Sequence, residues 1–399
     1  MSQFKPADQG EVAQAVADAA AKGRPLSIIG LGTKSALGRP AKNPGHLDLS
    51  RLSGISFYEP EELVISVLAA TPIETIEAVL GGSGQELAFE PMSFAALYGT
   101  GHGTIGGCLM ANLSGPRRIK AGAARDFVLG VKAVSGRGEN FKSGGRVVKN
   151  VTGYDLSRGL AGSFGTLSVA TEITLKVLPR GETTSTLILF GLDPGAATKV
   201  LCAAMGAPAD VSGAAHLPTF AAETQGFRDA ITALRVEGFA PSVEGRLALL
   251  ETMLKISAPM ARLDAPASET LWRAIRDVAP LAEPSEKIIW RISVAPAAGP
   301  KVAEAVRRVH NSEALFDWSG GLVWLALDPC ADGAAGLIRE SVAQNGGGHA
   351  SLIRAPDELR ANIPVFEPQP EGLANLSRRL KEAFDPHAIL EPRRVFAEF

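Results

Sequence analysis

The sequence predicts an α+β protein of two domains. Its 399 residues are enough for two ordinary hydrophobic cores. Residues 166–177 follow a period of two between apolar and polar side chains, which predicts one long β-strand. Pro179-Arg180-Gly181-Glu182 then breaks the pattern, so we expect one domain over 1–180 and a second over 181–399. In the second domain strand-like and helical segments alternate, for example at 185–190, 247–254, 288–294 and 321–327.

Local signals place the first elements. Asp8 and Glu11 resemble a capping box, and they precede apolar residues at helical spacing that end near Gly23. Residues 25–29 predict a short strand, which leads into a glycine-rich loop over 30–38. This strand and loop are the first candidate framework for a binding site.

Further elements follow along the chain. Residues 47–49 and 63–70 predict strands, and Thr71-Pro72-Ile73-Glu74 predicts a helix start by a capping box with proline at the first helical position. Residues 127–134 and 140–141 flank a turn sequence and predict a hairpin. Near the end of the chain, residues 373–384 predict a helix.

Composition excludes several classes of protein. The net charge of −2 does not support nucleic-acid binding. Cys108, Cys202 and Cys330 are far apart, which argues against a disulfide framework, a zinc site or an iron–sulfur cluster held by this chain alone. No signal peptide and no run of 18 apolar residues is evident. We therefore expect a cytoplasmic protein without a membrane span, with peripheral attachment through partners left open.

The first glycine-rich loop is a candidate phosphate site. Successive backbone N–H groups without side-chain obstruction can form a concave anion site, and the loop adds hydroxyl groups and a lysine. Its residues are Gly30, Leu31, Gly32, Thr33, Lys34 and Ser35. A Rossmann loop is disfavoured, because the third glycine is missing and the prolines within 39–46 prevent the required helix. A purely structural turn stays open as an alternative.

A second glycine cluster spans Gly99–Gly107 and runs into Cys108–Gly115. Two such loops, about 70 residues apart, suit one long cofactor with a pyrophosphate and a ring. Gly106 and Gly107 would let the backbone approach a planar ring, where a Cβ atom would collide. Asn112 and Ser114 offer hydrogen bonds to ring edges.

The ordered series of motifs resembles the PCMH-type (vanillyl-alcohol-oxidase-like) FAD-binding family over residues 1 to about 180. It comprises the strand and first loop, then T-I-G-G…A-N-L-S-G-P-R-R, R-D-F-V-L-G-V, V-V-K-N-V-T-G-Y-D-L and G-S-F-G-T-L-S-V-A-T-E. Gly115–Arg118 and Lys149–Leu156 are similar to the FAD-binding E subunits of bacterial glycolate oxidases. The resemblance implies a FAD-binding domain of two α/β lobes, followed by a cap-like α+β domain whose tail returns to the first. The tail departs from the family ending, with Glu391 and Arg393 where Asn and Gly are usual.

The same resemblance implies a set of cofactor-binding residues. Residues 30–35 would hold the FAD pyrophosphate, and backbone of the long strand's beginning would add contacts. The other members of the set are Gly103, Thr104, Gly106, Gly107, Asn112, Ser114, Gly165, Thr166, Val169 and Ala170. Relatives that bind FAD covalently place a histidine in the first loop. This loop has none, so we expect non-covalent FAD.

The resemblance also implies partners, namely a related FAD-containing catalytic subunit and an iron–sulfur subunit. The catalytic subunit's H-x-G-D-G-N motif is absent, and the nearest passage, Gln344–His349, lacks its Asp and first His. No catalytic residue or metal ligand is therefore assigned, and electron relay or assembly support is favoured over oxidation by this chain itself. The alternatives are a stand-alone FAD dehydrogenase of another small hydroxy acid or alcohol, and a non-catalytic structural FAD subunit.

Several single residues allow a functional and a structural interpretation. His102 and His349 are more simply loop histidines than flavin contacts. Tyr154 is equally a flavin neighbour or a core tyrosine. A run of basic residues could contact a FAD phosphate, a substrate carboxylate or a partner subunit, or could simply be solvated. The tryptophans are more simply core residues than parts of an electron-transfer path. The residues are Arg117, Arg118, Lys120 and Arg125 in the run, and Trp272, Trp290, Trp318 and Trp324.

Overall fold

The computed structural model describes residues 3–41, 44–146 and 153–398. In these stretches the strands are β1 Gln3–Phe4, β2 Leu26–Ile29, β3 Gly45–Asp48, β4 Ile55–Glu59, β5 Val64–Leu68, β6 Gln85–Glu86, β7 Val128–Ser135, β8 Asn140–Gly144, β9 Ser168–Lys176, β10 Leu178–Pro179, β11 Thr183–Phe190, β12 Gly213–Leu217, β13 Ile231–Gly238, β14 Met260–Leu263, β15 Ile288–Val294, β16 Ser312–Asp317, β17 Leu322–Leu327 and β18 Gly348–Arg354.

The helices of the described residues are α1 Gln9–Ala21, α2 Ile73–Gly82, α3 Ala95–Tyr98, α4 Ile105–Met110, α5 Arg118–Ala121, α6 Ala124–Phe127, α7 Leu156–Leu160, α8 Pro194–Met205, α9 Thr219–Glu223, α10 Ala240–Leu254, α11 Ala265–Arg276, α12 Gly299–Arg307, α13 Ala335–Gln344, α14 Asp357–Asn362 and α15 Glu371–Phe384. None of these helices has the length and apolar character of a bilayer-spanning segment.

The first lobe is a small parallel sheet in the order β1-β3-β2, with α1 beside it. Asp8 caps α1 by accepting the Glu11 N–H at 2.9 Å, and the Glu11 carboxylate accepts the Ala7 N–H at 2.7 Å. The predicted cap is thus present, although the return bond reaches Ala7 and not Asp8 itself. No helix lies between β2 and β3 in the described residues, which agrees with the rejection of a Rossmann unit.

The second lobe is an antiparallel sheet in the order β4-β5-β9-β7-β8. The predicted long strand is its centre, but it begins at Ser168, two residues later than expected. Thr166 turns away from the sheet because its hydroxyl donates to the Ser163 carbonyl at 2.7 Å. Both faces of β9 are covered, so its polar residues pair internally: the Thr174 hydroxyl lies 2.8 Å from that of Ser66.

The capping-box prediction for α2 is wrong. Pro72 is the N-cap residue, it has no side-chain cap bond, and the helix begins at Ile73. The Thr71 hydroxyl accepts the Gly54 N–H at 2.9 Å and donates to the Leu68 carbonyl at 2.7 Å. A tertiary contact therefore takes the hydroxyl that the local pattern assigned to the helix.

The C-terminal half contains a large antiparallel sheet in the order β14-β11-β13-β12-β16-β17-β15-β18 within the described residues. One face carries the helices that include α8, α10, α12 and α13. The other face joins the first half in a continuous core: Phe94 packs edge-on against Trp324 with ring centroids 6.2 Å apart. Residues 185–190, 288–294 and 321–327 lie in or overlap strands, and 247–254 lies in α10.

The tail returns to the first lobe after α15. Leu390 pairs with Leu26 in a parallel bridge, and Ile389 and Leu390 are buried in the core around α1. The Lys381 ammonium is buried and bonds the Asp385 carboxylate at 2.6 Å and the Thr166 carbonyl at 2.7 Å. This arrangement brings residues near the C-terminus against the first glycine-rich loop.

Candidate functional site

The two glycine-rich loops line one cavity. Residues 30–35 form one wall, and Thr104, Gly106 and Gly107 form the facing wall. The approach is close, since a Cβ atom on Gly30 would lie 2.9 Å from the Thr104 hydroxyl oxygen. The cavity has a volume of about 180 Å³, and Lys34 also lines a neighbouring cavity of about 790 Å³. Two segments distant in sequence therefore face a shared cleft.

The second loop presents its backbone at the start of α4. Thr104 is the N-cap residue and accepts the Gly107 N–H at 3.2 Å. The Gly106 N–H donates to the Ala69 carbonyl at 2.8 Å, and a Cβ atom on Gly106 would lie 2.6 Å from that oxygen. A Cβ atom on Gly107 would instead lie 3.4 Å or more from its nearest neighbours, Thr104 and Lys34. Gly106 is thus required by packing, whereas Gly107 leaves space beside the cavity.

Lys34 carries the positive charge of the cleft. Its ammonium lies between the two loops, where a Cβ atom on Gly103 would collide with it. No carboxylate of the described residues forms an ion pair with it. Burial lowers the pKa of Lys34, and the neighbouring Cys108 acts in the opposite direction. An unpaired, partly buried cation at two backbone cradles is suited to an anionic ligand such as a pyrophosphate.

Two buried polar atoms in the cavity wall lack partners. The Nδ1 atom of His46 and the hydroxyl of Ser168 have no hydrogen bond within the described part of the chain. Buried polar groups are normally satisfied, so a ligand with donors and acceptors fits here. The sequence reasoning missed both residues. His46 lies on β3 with no local motif, and Ser168 lies at the beginning of the long strand, from which only backbone contacts were predicted.

The C-terminal tail completes the cavity wall with Glu391 and Arg394. The Glu391 carboxylate accepts the Ile28 N–H at 2.7 Å and lies 2.9 Å from the Arg394 guanidinium. Arg394 donates to the Lys34 carbonyl at 2.8 Å. Glu391, the residue that departs from the family ending, therefore positions the first loop through these bonds.

The remaining predicted residues divide into two groups. Gly165 and Ala170 line the cavity. Gly103, Asn112, Ser114, Thr166 and Val169 are not among its lining residues, so their contact with a cofactor stays a prediction. The Ser114 hydroxyl accepts the Ala124 N–H at 2.9 Å, and the Asn112 side-chain oxygen accepts the Arg125 N–H at 3.2 Å. Both side chains thus have roles within the fold of the loop.

Other residues singled out in the sequence lie elsewhere. His102 is exposed, lines the neighbouring cavity and lies 3.4 Å from Glu74. Tyr154 is 91% exposed, so it is not a core tyrosine. In the stretch Lys149–Leu156, residues 149–152 lie outside the described residues. The four tryptophans are all buried, as the core interpretation expects.

The neighbouring cavity is lined by a buried charge cluster between the two halves. Arg235 holds Glu90 in a bidentate pair with distances of 2.7 and 3.1 Å, and Arg117 bonds Glu237 at 2.6 Å and Glu86 at 2.7 Å. Burial alone would raise the pKa of Glu90, but Arg235 and Arg117 outweigh it and hold that pKa at about 2. The Arg117 guanidinium is thus fully paired within the protein. Its geometry gives no support to the interpretation that Arg117 binds a FAD phosphate.

Metal and disulfide chemistry is not evident in the described residues. They contain no group of three or more His, Cys, Asp or Glu side chains that could hold a metal ion. All three cysteines are free thiols. Burial raises the pKa of Cys108 to about 11, so this thiol is protonated at neutral pH.

Comparison with known proteins connects this geometry to a family. Residues 3–144 match the model of a FAD binding domain. The chain is 33% identical to glycolate oxidase subunit GlcE of Escherichia coli (strain K12) over 388 residues, which cover 97% of this chain and 96% of the relative. It is 27% identical over 344 residues to glycolate oxidase subunit GlcD of Bacillus subtilis (strain 168), and the match covers 74% of this chain and 68% of that relative.

Solved structures share the fold. The TM-score is 0.75 to p-cresol methylhydroxylase, at 13% identity and covering 100% of this chain and 89% of that one. The TM-score to 4-ethylphenol oxidase from Gulosibacter chungangensis is 0.72, at 16% identity, and the match covers 98% of this chain and 88% of that one. These likenesses confirm the predicted fold class. The near full-length match to the subunit GlcE, with the matched FAD binding domain, shows that the chain is a FAD-binding oxidoreductase belonging to the family of that subunit.

Proposed function

We propose that this chain binds FAD non-covalently in the cavity between residues 30–35 and Thr104–Gly107, as the flavin subunit of a glycolate-oxidising complex. The convergence of the two glycine-rich loops on one cleft is the observation that carries the proposal. The unpaired Lys34 and the unsatisfied atoms of His46 and Ser168 fit a charged, hydrogen-bonding dinucleotide. No histidine occurs within 30–35, which supports a non-covalent cofactor.

Each wall has a distinct task in this proposal. The backbone of 30–35 and the Lys34 ammonium hold the pyrophosphate, because N–H groups and a cation neutralise its charge. The glycines at the start of α4 leave room for the remainder of the cofactor along the facing wall, and Glu391 keeps the first loop in position. FAD, when bound, supplies the redox chemistry by accepting and passing on electrons. The residues predicted at Gly103, Asn112, Ser114, Thr166 and Val169 are proposed as contacts further along the cofactor.

Glycolate as the substrate of the complex is supported by the names of the two relatives, subunits GlcE and GlcD of glycolate oxidases. We assign oxidation to the partner flavoprotein and electron relay to this chain, because the H-x-G-D-G-N motif is absent from the sequence. The proposed partners are that flavoprotein and an iron–sulfur subunit. The free thiols are compatible with a cytoplasmic site, with attachment to the membrane through partners. The proposed domain division is 1–180 and 181–399.

An exposed apolar stripe on α15 supports assembly with a partner. Leu373, Leu376 and Leu380 follow helical spacing and are 49%, 59% and 40% exposed. A 14-residue helix is only marginally stable without packing along its apolar face, so a covering protein surface is expected. Leu376→Arg should abolish co-purification with the flavoprotein partner and leave FAD content unchanged. Val309→Arg, an exposed apolar site elsewhere, is the matched control.

Reconstitution with FAD tests the central proposal. The purified chain is expected to contain FAD that acid or heat releases into the supernatant, and the apoprotein should quench flavin fluorescence on rebinding. Gly107→Ala should weaken FAD binding by at least tenfold while preserving the melting temperature, because Gly107 lines the cavity and its Cβ atom would lie 3.4 Å or more from its nearest neighbours. Gly245→Ala, where a Cβ atom meets open space, is the control. A folded chain that neither carries nor rebinds FAD would refute the proposal.

The same preparation separates the alternatives. Bound FAD without glycolate turnover by the isolated chain supports the relay role. Turnover of a hydroxy acid or alcohol by the isolated chain would establish a stand-alone dehydrogenase instead. FAD that binds but is never reduced in the assembled complex would indicate a structural cofactor.

A further inference from the structure

The large antiparallel sheet has an internal gap between β12 and β16. These neighbouring strands are joined at a single pair, His216 with Phe316, whereas β16 pairs with β17 along its whole length. The gap opens because β12 ends at Leu217, and the next residue, Pro218, has no N–H group and is the N-cap residue of α9. The edge of β16 that precedes Phe316 therefore has no strand beside it in the described part of the chain.

Backbone groups of Ser312 and Ala314 point into this gap. The Asp328 N–H donates to the Asn311 carbonyl at 3.2 Å, so Asn311 occupies a hydrogen-bonded position in the register of β16 and β17. Such positions alternate along an antiparallel strand, so Glu313 also bonds β17 and its two neighbours face the other way. Outside the pairing with β17, no backbone hydrogen bond reaches these neighbours among the described residues. Their N–H and carbonyl groups are thus available to a further strand.

The outer edge strand β18 is covered, which makes the bare internal edge informative. The Leu352 N–H donates to the Val365 carbonyl at 2.7 Å, and the Ala350 N–H donates to the Glu367 carboxylate at 2.9 Å. Native proteins cover their strand edges because an unpaired edge recruits another strand. The edge of β16 has no such cover in the residues that the structure describes.

A cavity of about 600 Å³ with a mainly apolar wall adjoins this edge. Ser312 lines the cavity and is 8% exposed, and its buried hydroxyl has no hydrogen-bond partner in the described residues. It is one of several such buried atoms, and it is the one among them that lines this cavity. Because buried polar groups are normally satisfied, the hydroxyl indicates an occupant with a donor or acceptor. The apolar wall includes Phe220 of α9, Pro300 of α12, and Phe316 and Leu325 of the sheet.

The charged side chains of the cavity wall balance one another. Glu304 bonds Arg307 at 2.7 Å, and Glu313 bonds Lys287 at 2.7 Å. The remaining charged side chains of the wall are opposite in sign, Asp193 and Lys301. The wall therefore has no excess charge for an occupant to neutralise, and uncharged side chains complement it best.

We propose that the gap binds an extended, uncharged peptide segment of another protein, which adds a strand to the edge of β16. The segment's backbone pairs with Ser312 and Ala314, and its alternate side chains enter the apolar cavity. From Ser312 to Leu315 the edge is roughly 13 Å long at about 3.3 Å per residue, so it matches a short motif of about four residues. The edge is recessed between α9 and α12, so a loose segment reaches it whereas the identical edge of a second copy does not.

Selection of phage-displayed random heptapeptides on the full-length chain tests this site. The enriched peptides should carry apolar residues at alternate positions and few charges, and should bind saturably in fluorescence anisotropy titrations. Ala314→Pro removes the N–H that faces the gap and leaves the bonds to β17 in place, so it should weaken binding at least tenfold. If it does not fold, Ala314→Lys carries the test by placing a charge in the cavity. Ala203→Lys, at an exposed alanine of α8, should bind as the wild type does.

Amide hydrogen exchange provides the second readout, because peptide binding should slow exchange at Ser312 and Ala314. The inference is overturned if no sequence is enriched over an unrelated bait, if the folded Ala314 variants bind as tightly as the wild type, or if exchange at both residues is unchanged. Dimerisation of the wild type that Ala314→Lys abolishes would also overturn it, by assigning the edge to a second copy. FAD content should be equal in all variants, since neither Ala314 nor Ala203 lines the FAD cavity, so the outcome is independent of the proposed cofactor.

Discussion

Replacing Lys34 by methionine should have opposite effects on the apoprotein and on cofactor binding. The ammonium lies between the two glycine-rich loops without a carboxylate partner among the described residues, and burial lowers its pKa. In the apoprotein this charge is desolvated without compensation, so its removal should stabilise the fold. In the complex the same charge would meet the FAD pyrophosphate, so its removal should weaken binding.

The magnitude follows from the kind of interaction lost. A hydrogen bond to a charged group contributes roughly 1.5–3 kcal/mol, which corresponds to a roughly 10- to 100-fold rise in the dissociation constant for FAD. Methionine has a similar length and keeps apolar contacts with the loops, so little cavity is created. The melting temperature of the apoprotein should therefore rise or stay equal.

The assay combines two readouts on one preparation. Flavin fluorescence quenching gives the dissociation constant, and thermal unfolding monitored by circular dichroism gives the stability of the apoprotein. Lys255→Met, at an exposed lysine, is the control and should change neither quantity. A dissociation constant within twofold of the wild type would refute the assignment of Lys34 to the pyrophosphate. A lower melting temperature would show that the ammonium has a stabilising partner, against the geometry described.

Two further predictions concern stability. The pKa of Glu90 is about 2 in the fold against 4.5 unperturbed, so the ionised carboxylate contributes about 3 kcal/mol to stability above pH 4.5, and this contribution is lost as the pH falls towards 2. In Glu90→Gln the free energy of unfolding should therefore fall less steeply with decreasing pH than in the wild type. An unchanged pH dependence would contradict the role of Arg235. Gly106→Ala should lower the free energy of unfolding of the apoprotein by about 1–3 kcal/mol, because its Cβ atom would lie 2.6 Å from the Ala69 carbonyl oxygen. Denaturant titration measures this change. A stability equal to that of the wild type would show that the backbone relaxes around the added methyl group.

The local patterns of the sequence determined much of the fold and the position of the site. The period of two over 166–177 predicted the central strand β9, and the hairpin formed by β7 and β8 followed from its turn residues. The two glycine-rich loops predicted the cleft, because backbone N–H groups free of side chains are a local property of the chain. Even so, the start of β9 and the N-terminal cap of α2 differ from the predictions. The Thr166 and Thr71 hydroxyl groups, which local rules assign to these elements, bond Ser163 and Gly54 instead.

Only the tertiary structure decided which residues complete the cleft and which cations stay unpaired. Glu391 reaches Ile28 across 363 positions, and His46 and Ser168 face the cavity from strands that carry no motif. Arg117 and Arg118 are adjacent in the sequence, yet Arg117 is neutralised by carboxylates and Arg118 is not. The physical reason is that counter-charges and unsatisfied atoms are set by long-range packing, whereas periodicity and loop composition act over a few residues.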